Sequence, residues 1–425
     1  MHTMTAIRRI RIFDQQALVR IADWLAVGVA VSLPWSTSAT GILIVLWLAA
    51  VLPTMSVDRV RRELATAAGG LPVLLWLLAA AGMLWADVSW RERLAGFSPF
   101  HRLLLIPLLL AQFRRSEHGG WVFYGYLASV LGVLAGSWAL ALVPGLSWRG
   151  DEFGIPAKDY IFQGESFTIC ALALIGRACG HGRAGDWRSA LGAVAVSALL
   201  IANIFFVAIG RTVLLVFPVL LVFVGWRQFG WRGLLGAGLA GVVIGAAAWF
   251  GSPHLRARVN DSVADFAAYR ERDANNSTGM HLEFLRKSLT IATTAPVIGH
   301  GTGSMPEQFR RVTSGESGAS AVVTVNPHNQ ILAVAIQLGL VGAVVLAAMW
   351  IAHLLLFRGD GFAALVGALV VIENVVSSLF NSHLFDFTQG WLYVFGVGVA
   401  GGMALRRHRS APDTPPADVP QPAEA

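Results

Sequence analysis

Asn326-Pro327-His328-Asn329 closes a long polar stretch, roughly 251–325, and opens an apolar run that begins Gln330-Ile331-Leu332. Read locally, Asn326 is an N-cap and Pro327 the first helical residue, which puts His328 in the first turn. The positive end of a helix dipole disfavours an imidazolium there. His328 is then expected to be neutral at pH 7, with a ring nitrogen able to accept a proton. The same helix end offers unpaired backbone N–H groups to an anion. A neutral base beside an anion site suits attack by a hydroxyl with departure of a phosphate. A histidine that merely caps a helix at an interface would leave the same local sequence.

Other residues bear on that chemistry. Arg211 interrupts the apolar run Val207-Ala208-Ile209-Gly210-Arg211-Thr212-Val213-Leu214. An arginine at a bilayer centre costs at least about 2.5–3.5 kcal/mol. It is therefore expected at a helix end, with Gly210 in a tight turn, or facing a bundle interior; the plain alternative is a snorkelling interfacial side chain. Arg286 and Lys287 share one polar segment with His281, and Arg310 and Arg311 follow on the next. Clustered cations suit a lipid-linked diphosphate, since guanidinium binds phosphate oxygens bidentately; taken singly, each equally suits anionic head groups. Asp386 and His383 border the last apolar run, where an aspartate orients a histidine, binds a sugar hydroxyl or is simply solvated. Glu373 and Asn374 lie within an apolar run, as a functional pair or as a hydrogen bond to a neighbouring helix. Gly299-His300-Gly301-Thr302-Gly303 follows no strand, so it is no dinucleotide fingerprint and reads as a flexible connection. No Asp-x-Asp pair or cluster with metal-ligand spacing occurs, so neither a metal nor a cofactor is implied.

The elements that position these residues are membrane helices. Of 425 residues, 55% are hydrophobic and 13% charged, with a mean hydropathy of +0.61. That excludes an ordinary soluble globule and points to an all-α polytopic membrane protein. The net charge of +7 is carried by arginine and marks orientation and lipid contact rather than nucleic acid. Cys170 and Cys179 fall in or beside one apolar segment on the expected inner side, so a disulfide is not expected. Apolar segments fall at about 21–34, 40–54, 71–85, 101–113, 121–143, 166–176, 189–209, 211–226, 233–250, 328–357, 361–381 and 386–405, about twelve transmembrane helices.

The first run leads directly into another and reads as a signal anchor. With the N-terminus inside, every inner connection carries arginine, from Arg59, Arg61 and Arg62 to Arg406, Arg407 and Arg409, while the short outer turn 34–39 carries none. Arg211, His328 and the turn 381–386 then share the outer face.

The organisation is a membrane bundle of about nine helices over 1–250, a helical outer loop over 251–327, three membrane helices over 328–405, and a disordered inner tail over 406–425. Within the loop, Ser252-Pro253 opens an amphipathic helix of about 18 residues with Leu255, Val259, Val263 and Phe266 at helical spacing. A second helix carries Leu282, Leu285 and Leu289 and ends near Pro296. Ser304 and Glu307 have capping-box spacing and open a third. Residues 314–321, small and glycine-rich, read as a mobile flap.

An arginine after glycine at the start of a central helix, the stretch Pro296-Val297-Ile298-Gly299-His300-Gly301-Thr302-Gly303-Ser304, and the closing Asn326-Pro327-His328-Asn329 together resemble the O-antigen ligase family of Gram-negative bacteria, within the wider O-antigen ligase and polymerase superfamily. The motifs lie between about Gly210 and Gly339; elsewhere the match is in topology alone. The resemblance implies a GT-C-like, lipid-dependent glycosyltransferase in the bacterial inner membrane, with cytoplasmic termini and a periplasmic active site. The implied reaction moves polysaccharide from undecaprenyl diphosphate to a sugar hydroxyl of the lipid A core, without metal or nucleotide and with inversion. His328 matches the family's essential histidine and Arg211 its central arginine. Where the family has a second arginine, this chain has His281, and Arg286, one turn along, is the candidate replacement. Asn329 belongs to the histidine motif. The motif does not read the acceptor, so an O-antigen polymerase or a protein O-oligosaccharyltransferase fits the same residues. A transporter would use Arg211 and Glu373 along a translocation path, but no paired halves are evident; a receptor or scaffold is the bland reading.

Overall fold

The structure, a computed structural model, describes residues 15–146, 153–272 and 277–410, without the side chains of 269–272, 277, 318–319 and 407–410. The arginines of the N-terminal lead before residue 15, residues 147–152 and the tail from 411 lie outside the described residues. Seventeen α-helices and three short 3-10 turns occur among the described residues, and no strand. In order the helices are α1 (Gln15–Ser32), α2 (Thr37–Val51), α3 (Val57–Leu64), α4 (Ala67–Gly82), α5 (Trp90–Phe97), α6 (Leu105–Phe113), α7 (Gly119–Leu142), α8 (Tyr160–Arg183) and α9 (Trp187–Phe206). They continue with α10 (Arg211–Phe229), α11 (Trp231–Gly251), α12 (Pro253–Arg272), α13 (Ser277–Thr294), α14 (Met305–Thr313), α15 (Gln330–Leu356), α16 (Phe362–Ser377) and α17 (Phe387–Ser410).

Each of the twelve expected apolar segments coincides with helix. Among the described residues, seven helical stretches, one of them α5 and α6 joined through a 3-10 turn, are long and apolar enough to cross a membrane, or eight if α3 and α4, bent by 88° at their junction, form one span. The largest discrepancy in extent is α8, whose 24 residues replace the expected 166–176. A hydropathy window stops at polar residues, but Gln163 and Glu165 are buried against other helices and the helix continues through them. At the other end α17 runs on to Ser410, into the stretch assigned to the disordered tail. The bundle shares one apolar core, with Trp47, Phe113, Phe162, Phe167 and Phe357 fully buried. Cys170 and Cys179 are both free thiols on α8.

The loop helices form a cap with a small core of their own. Phe284 and Ile291 of α13, Met305 and Phe309 of α14, and Ala333 and Ile336 of α15 pack together. That cluster seats α13 against the start of α15. The first loop helix begins at Pro253, and Ser252 Oγ accepts from the Leu255 N–H at 3.2 Å, as its cap sequence requires. Leu255 is buried, but Val263 and Phe266 at the far end of the stripe stay exposed. On α13 the expected face is reversed: Leu285 and Leu289 point outward, while Glu283, Phe284, Lys287 and Ser288 are buried. Of these, Glu283 pairs with Arg286, and Lys287 with Glu316 and the Ser320 carbonyl, which compensates the burial of those two charges, while the Ser288 hydroxyl has no hydrogen-bond partner among the described residues. Those contacts also pin the glycine-rich segment expected to be a flap.

Two further expectations are corrected. Ser304 does not cap α14; its Oγ donates to the Gly301 carbonyl at 2.7 Å, and Glu307 pairs with Arg310 and Arg311. A complete capping box occurs instead at Ser89 and Glu92, opening α5. The alternating glycines are also not a flexible connection. His300 and Gly301 donate to the Ile336 and Gln337 carbonyls, and Leu340 and Val341 donate to those of Pro296 and Val297. The segment thus lies backbone to backbone along α15 where that helix breaks at Gly339, whose φ of 63° and ψ of −161° only glycine holds readily. A Cβ on Gly339 would stand 2.2 Å from the Val297 carbonyl oxygen, so close approach, not mobility, demands the glycines.

Candidate active site at one pole of the bundle

His328 lies two residues ahead of α15, not in its first turn, and has φ +52°. Asn329 is the actual N-cap: its side chain accepts from the Leu332 N–H at 3.0 Å and donates to the Leu379 carbonyl. Asn326 forms a local turn instead, its Oδ1 accepting the His328 N–H at 2.9 Å. The helix dipole therefore does not hold His328 in its first turn. Burial does the equivalent work, pushing the His328 pKa below the usual imidazole value. The Asn381 hydrogen bond and the Asp386 charge oppose that shift without reversing it.

The tautomer follows from a chain of unambiguous donors and acceptors. Asn381, between α16 and α17, accepts the Ser382 backbone N–H on Oδ1 at 2.9 Å and donates from Nδ2 to the Asp386 carboxylate at 3.2 Å. A backbone N–H only donates and a carboxylate only accepts, so the amide has one orientation. His328 Nδ1, 3.1 Å from that Oδ1, is therefore the protonated nitrogen of the neutral ring, and Nε2 carries the lone pair.

Asp386 continues the network inward. His383 is fully buried, with Nδ1 3.4 Å from Asp386 and Nε2 3.2 Å from Glu165 of α8. Arg102, in the 3-10 turn ahead of α6, donates to the backbone carbonyls of Asp386 and Phe385 and so holds the turn that carries the carboxylate. Asn381, Arg102 and Glu165 were not singled out from the sequence. Arg102 carried a usable signal, since it stands at the head of the apolar segment 101–113 as Arg211 does at that of 211–226; Asn381 and Glu165 carried none beyond polarity. Glu373 is buried inside α16 among the polar groups of this interior.

On the other side, the His281 ring of α13 stacks on His328 with centroids 4.1 Å apart and planes at 23°, and Phe284 follows at 5.8 Å. Part of the His281 ring stays exposed, yet burial of the rest, with His328 and Arg211 adding, pushes its pKa down to about 4. At neutral pH it is no substitute cation. Arg211 is the first residue of α10, following Gly210, and its guanidinium reaches Thr278 at 3.2 Å and Asp265 at 3.5 Å. The loop helices α12 and α13 thus close over the Arg211 end of α10. Helical geometry, about 100° per residue, turns Arg286 roughly 140° away from His281. Its guanidinium is on Glu283 at 2.8 Å, with Glu316 at 4.0 Å. Arg310 and Arg311 pair with Glu92 and Asp87 at 2.8 and 2.9 Å, and both with Glu307, fastening α14 to the α5 region. His328, His281, Arg211, Asp386 and His383 are thus linked through neighbouring contacts; Lys287, Arg286, Arg310 and Arg311 are held by carboxylates.

Two cavities flank this pole. One of about 420 Å³ is lined by Asn326, Ser382 and Asp386, with Gly303 and Gln337. The other, of about 430 Å³, lies against Val207–Ile209 just ahead of Arg211 and is lined by Phe153, Tyr160, His254 and Arg258. The Arg258 guanidinium lies over the Tyr160 ring at 5.3 Å, and His254 stacks on Phe153 at 5.1 Å.

Residues 196–347 match the family model described as O-antigen ligase. The matched stretch runs from α9 through the loop helices to α15 and includes Arg211, His281 and His328. No curated protein matches the chain.

Proposed function

We propose that this chain, whose residues 196–347 match the O-antigen ligase family model, transfers polysaccharide from undecaprenyl diphosphate to a sugar hydroxyl of the lipid A core at the outer face of the bacterial inner membrane. The observation that carries the proposal is the His328 ring, neutral, buried on one side and bearing its lone pair on Nε2. Nε2 takes the proton of the acceptor hydroxyl as that oxygen attacks the anomeric carbon. The anomeric C–O bond to the diphosphate breaks on the opposite side, so the configuration inverts. Arg211 meets the charge that develops on the departing diphosphate, a fixed cation that needs no reorganisation. Arg258 supplies the second cation: it lies on α12 seven residues, two helical turns, before Asp265, the carboxylate that holds Arg211.

Two flanking cavities suit two substrates. Val263 and Phe266 of α12 and Leu285 and Leu289 of α13 are exposed apolar groups that the cap offers to a bilayer surface, from which lipid-linked substrates enter. In this reading all twelve long helical segments cross the membrane, in a GT-C-like arrangement with both termini inside.

A strain lacking this protein is complemented with wild type, His328→Ala or Arg211→Ala, and its lipopolysaccharide is run on gels. Loss of a general base is expected to lower transfer by about 10²–10⁴-fold, leaving bare core while lipid-linked polymer accumulates. A normal ladder with either stably expressed variant would sink the assignment. Shortened polymer still joined to core would identify a polymerase.

A further inference from the structure

The end of the bundle opposite Arg211 holds a second, unrelated arrangement of arginines. Arg211 opens α10 and Arg227 lies in its last turn, sixteen residues on, or about 24 Å along the axis. There Arg177 and Arg183 of α8 and Arg227 line a cavity of about 430 Å³. Against these three guanidiniums, Asp360 is the one carboxylate among its described lining residues. The arginines are oriented by neutral partners. Arg183 donates to the Gln228 side chain at 3.0 Å and to its carbonyl at 2.5 Å, and Arg227 donates to the carbonyls of Phe357 and Gly359. Arg177 lies over the rings of Phe362 and Tyr124 at 5.2 and 5.7 Å. Carbonyls and rings fix a guanidinium in place without cancelling its charge, so the cavity keeps a net positive field.

Phe362 also lines a second space, an apolar crevice of about 80 Å³ between α1, α7, α8, α16 and α17. Its walls include Val366, Val370, Phe395 and Val399, and along α17 it extends from Leu392 to Met403, about 16 Å. A cationic cavity and a narrow hydrocarbon-like crevice thus meet at one ring. We propose that this pole holds an anionic phospholipid, its phosphate among Arg177, Arg183 and Arg227 and one acyl chain in the crevice beside Phe362. A free phosphate ester satisfies the cavity alone; the adjoining crevice favours the lipid.

The test uses the full-length protein in detergent, equilibrated with phosphatidylglycerol or phosphatidylcholine, with retained lipid counted by native mass spectrometry. Wild type is expected to retain phosphatidylglycerol and lose phosphatidylcholine. Arg177→Gln combined with Arg227→Gln is expected to weaken retention roughly 30-fold, at about 1 kcal/mol per arginine. Gly180 lines the cavity, and a side chain added there meets nothing within 4 Å. Gly180→Trp therefore fills the space with the charges left in place, and is expected to abolish retention even if the double variant fails to fold. Equal retention of the two lipids, or unchanged retention in Gly180→Trp, would overturn the proposal. Displacement of bound phosphatidylglycerol by excess inorganic phosphate would overturn it too, assigning the cavity to a soluble phosphate.

Discussion

His328 gives its Nδ1 proton to Oδ1 of Asn381 at 3.1 Å, and the other end of that amide is tied to Asp386. Asn381 therefore decides which nitrogen of His328 carries the lone pair, and in the proposed reaction which one acts as base. Asn381→Ala frees the ring to hold its proton on either nitrogen, and is expected to lower kcat by about tenfold or more, short of the full 10²–10⁴ of the base itself. Asn381→Asp places a carboxylate against the ring and raises its pKa. Its rate is expected to fall at neutral pH and recover at alkaline pH. A purely structural role for Asn381 would leave the shape of the pH profile unchanged.

The wild-type pH profile has a defined sign. The proposed reaction uses His328 in its neutral form, and burial holds its pKa below the ordinary value of 6.5. Activity is therefore retained as pH falls through 7 and lost only on the acid side of 6.5, as the ring protonates. His281, held down to about 4, stays neutral over that range. Reconstituted transfer measured from acid to mildly alkaline pH checks this; an acid limb centred at or above 6.5 would contradict the buried base.

Arg258 and Arg286 are rival second cations, and their surroundings differ. Arg258 lines the cavity beside the turn that leads into Arg211, whereas Arg286 is engaged by Glu283 and Glu316. Arg258→Ala is expected to reduce kcat/KM for lipid-linked donor by about 10–100-fold, the worth of one charge-assisted contact or two. Arg286→Ala is expected to stay within about threefold of wild type. The reverse ranking in a purified transfer assay would return the role to α13.

Gly339 is a test of the fold beneath the site. Gly339→Ala forces a side chain into a glycine-only conformation, costing about 1–3 kcal/mol before the clash with the Val297 carbonyl is counted. Lower yield and a lower unfolding temperature in detergent are expected, since the segment 296–301 is bonded along that break. Gly192→Ala on α9, where an added Cβ meets nothing within 4 Å, is expected to be neutral or mildly stabilising.

Much of the architecture was legible because burial of apolar side chains has a period and a length. Twelve apolar segments, the Ser252-Pro253 helix start and the place of Arg211 at a helix end follow from local rules alone. Those rules failed where long-range packing competed with them. The leucines of α13 face outward because its polar face is neutralised by Arg286 and Glu316, partners that no spacing announces. Ser304 bonds to Gly301 rather than capping α14, because the glycine segment is pulled onto α15. His328 itself was identified by its motif, along with the expectation that it is neutral. The reason for that neutrality was not visible locally: it comes from stacking under His281 and partial burial, not from a helix dipole. The sequence by itself determined the helical membrane character of the chain and the residue types at the site. Only the tertiary structure decided the protonated nitrogen of His328 and the cations near it, because both depend on groups 50 or more residues away that meet through packing.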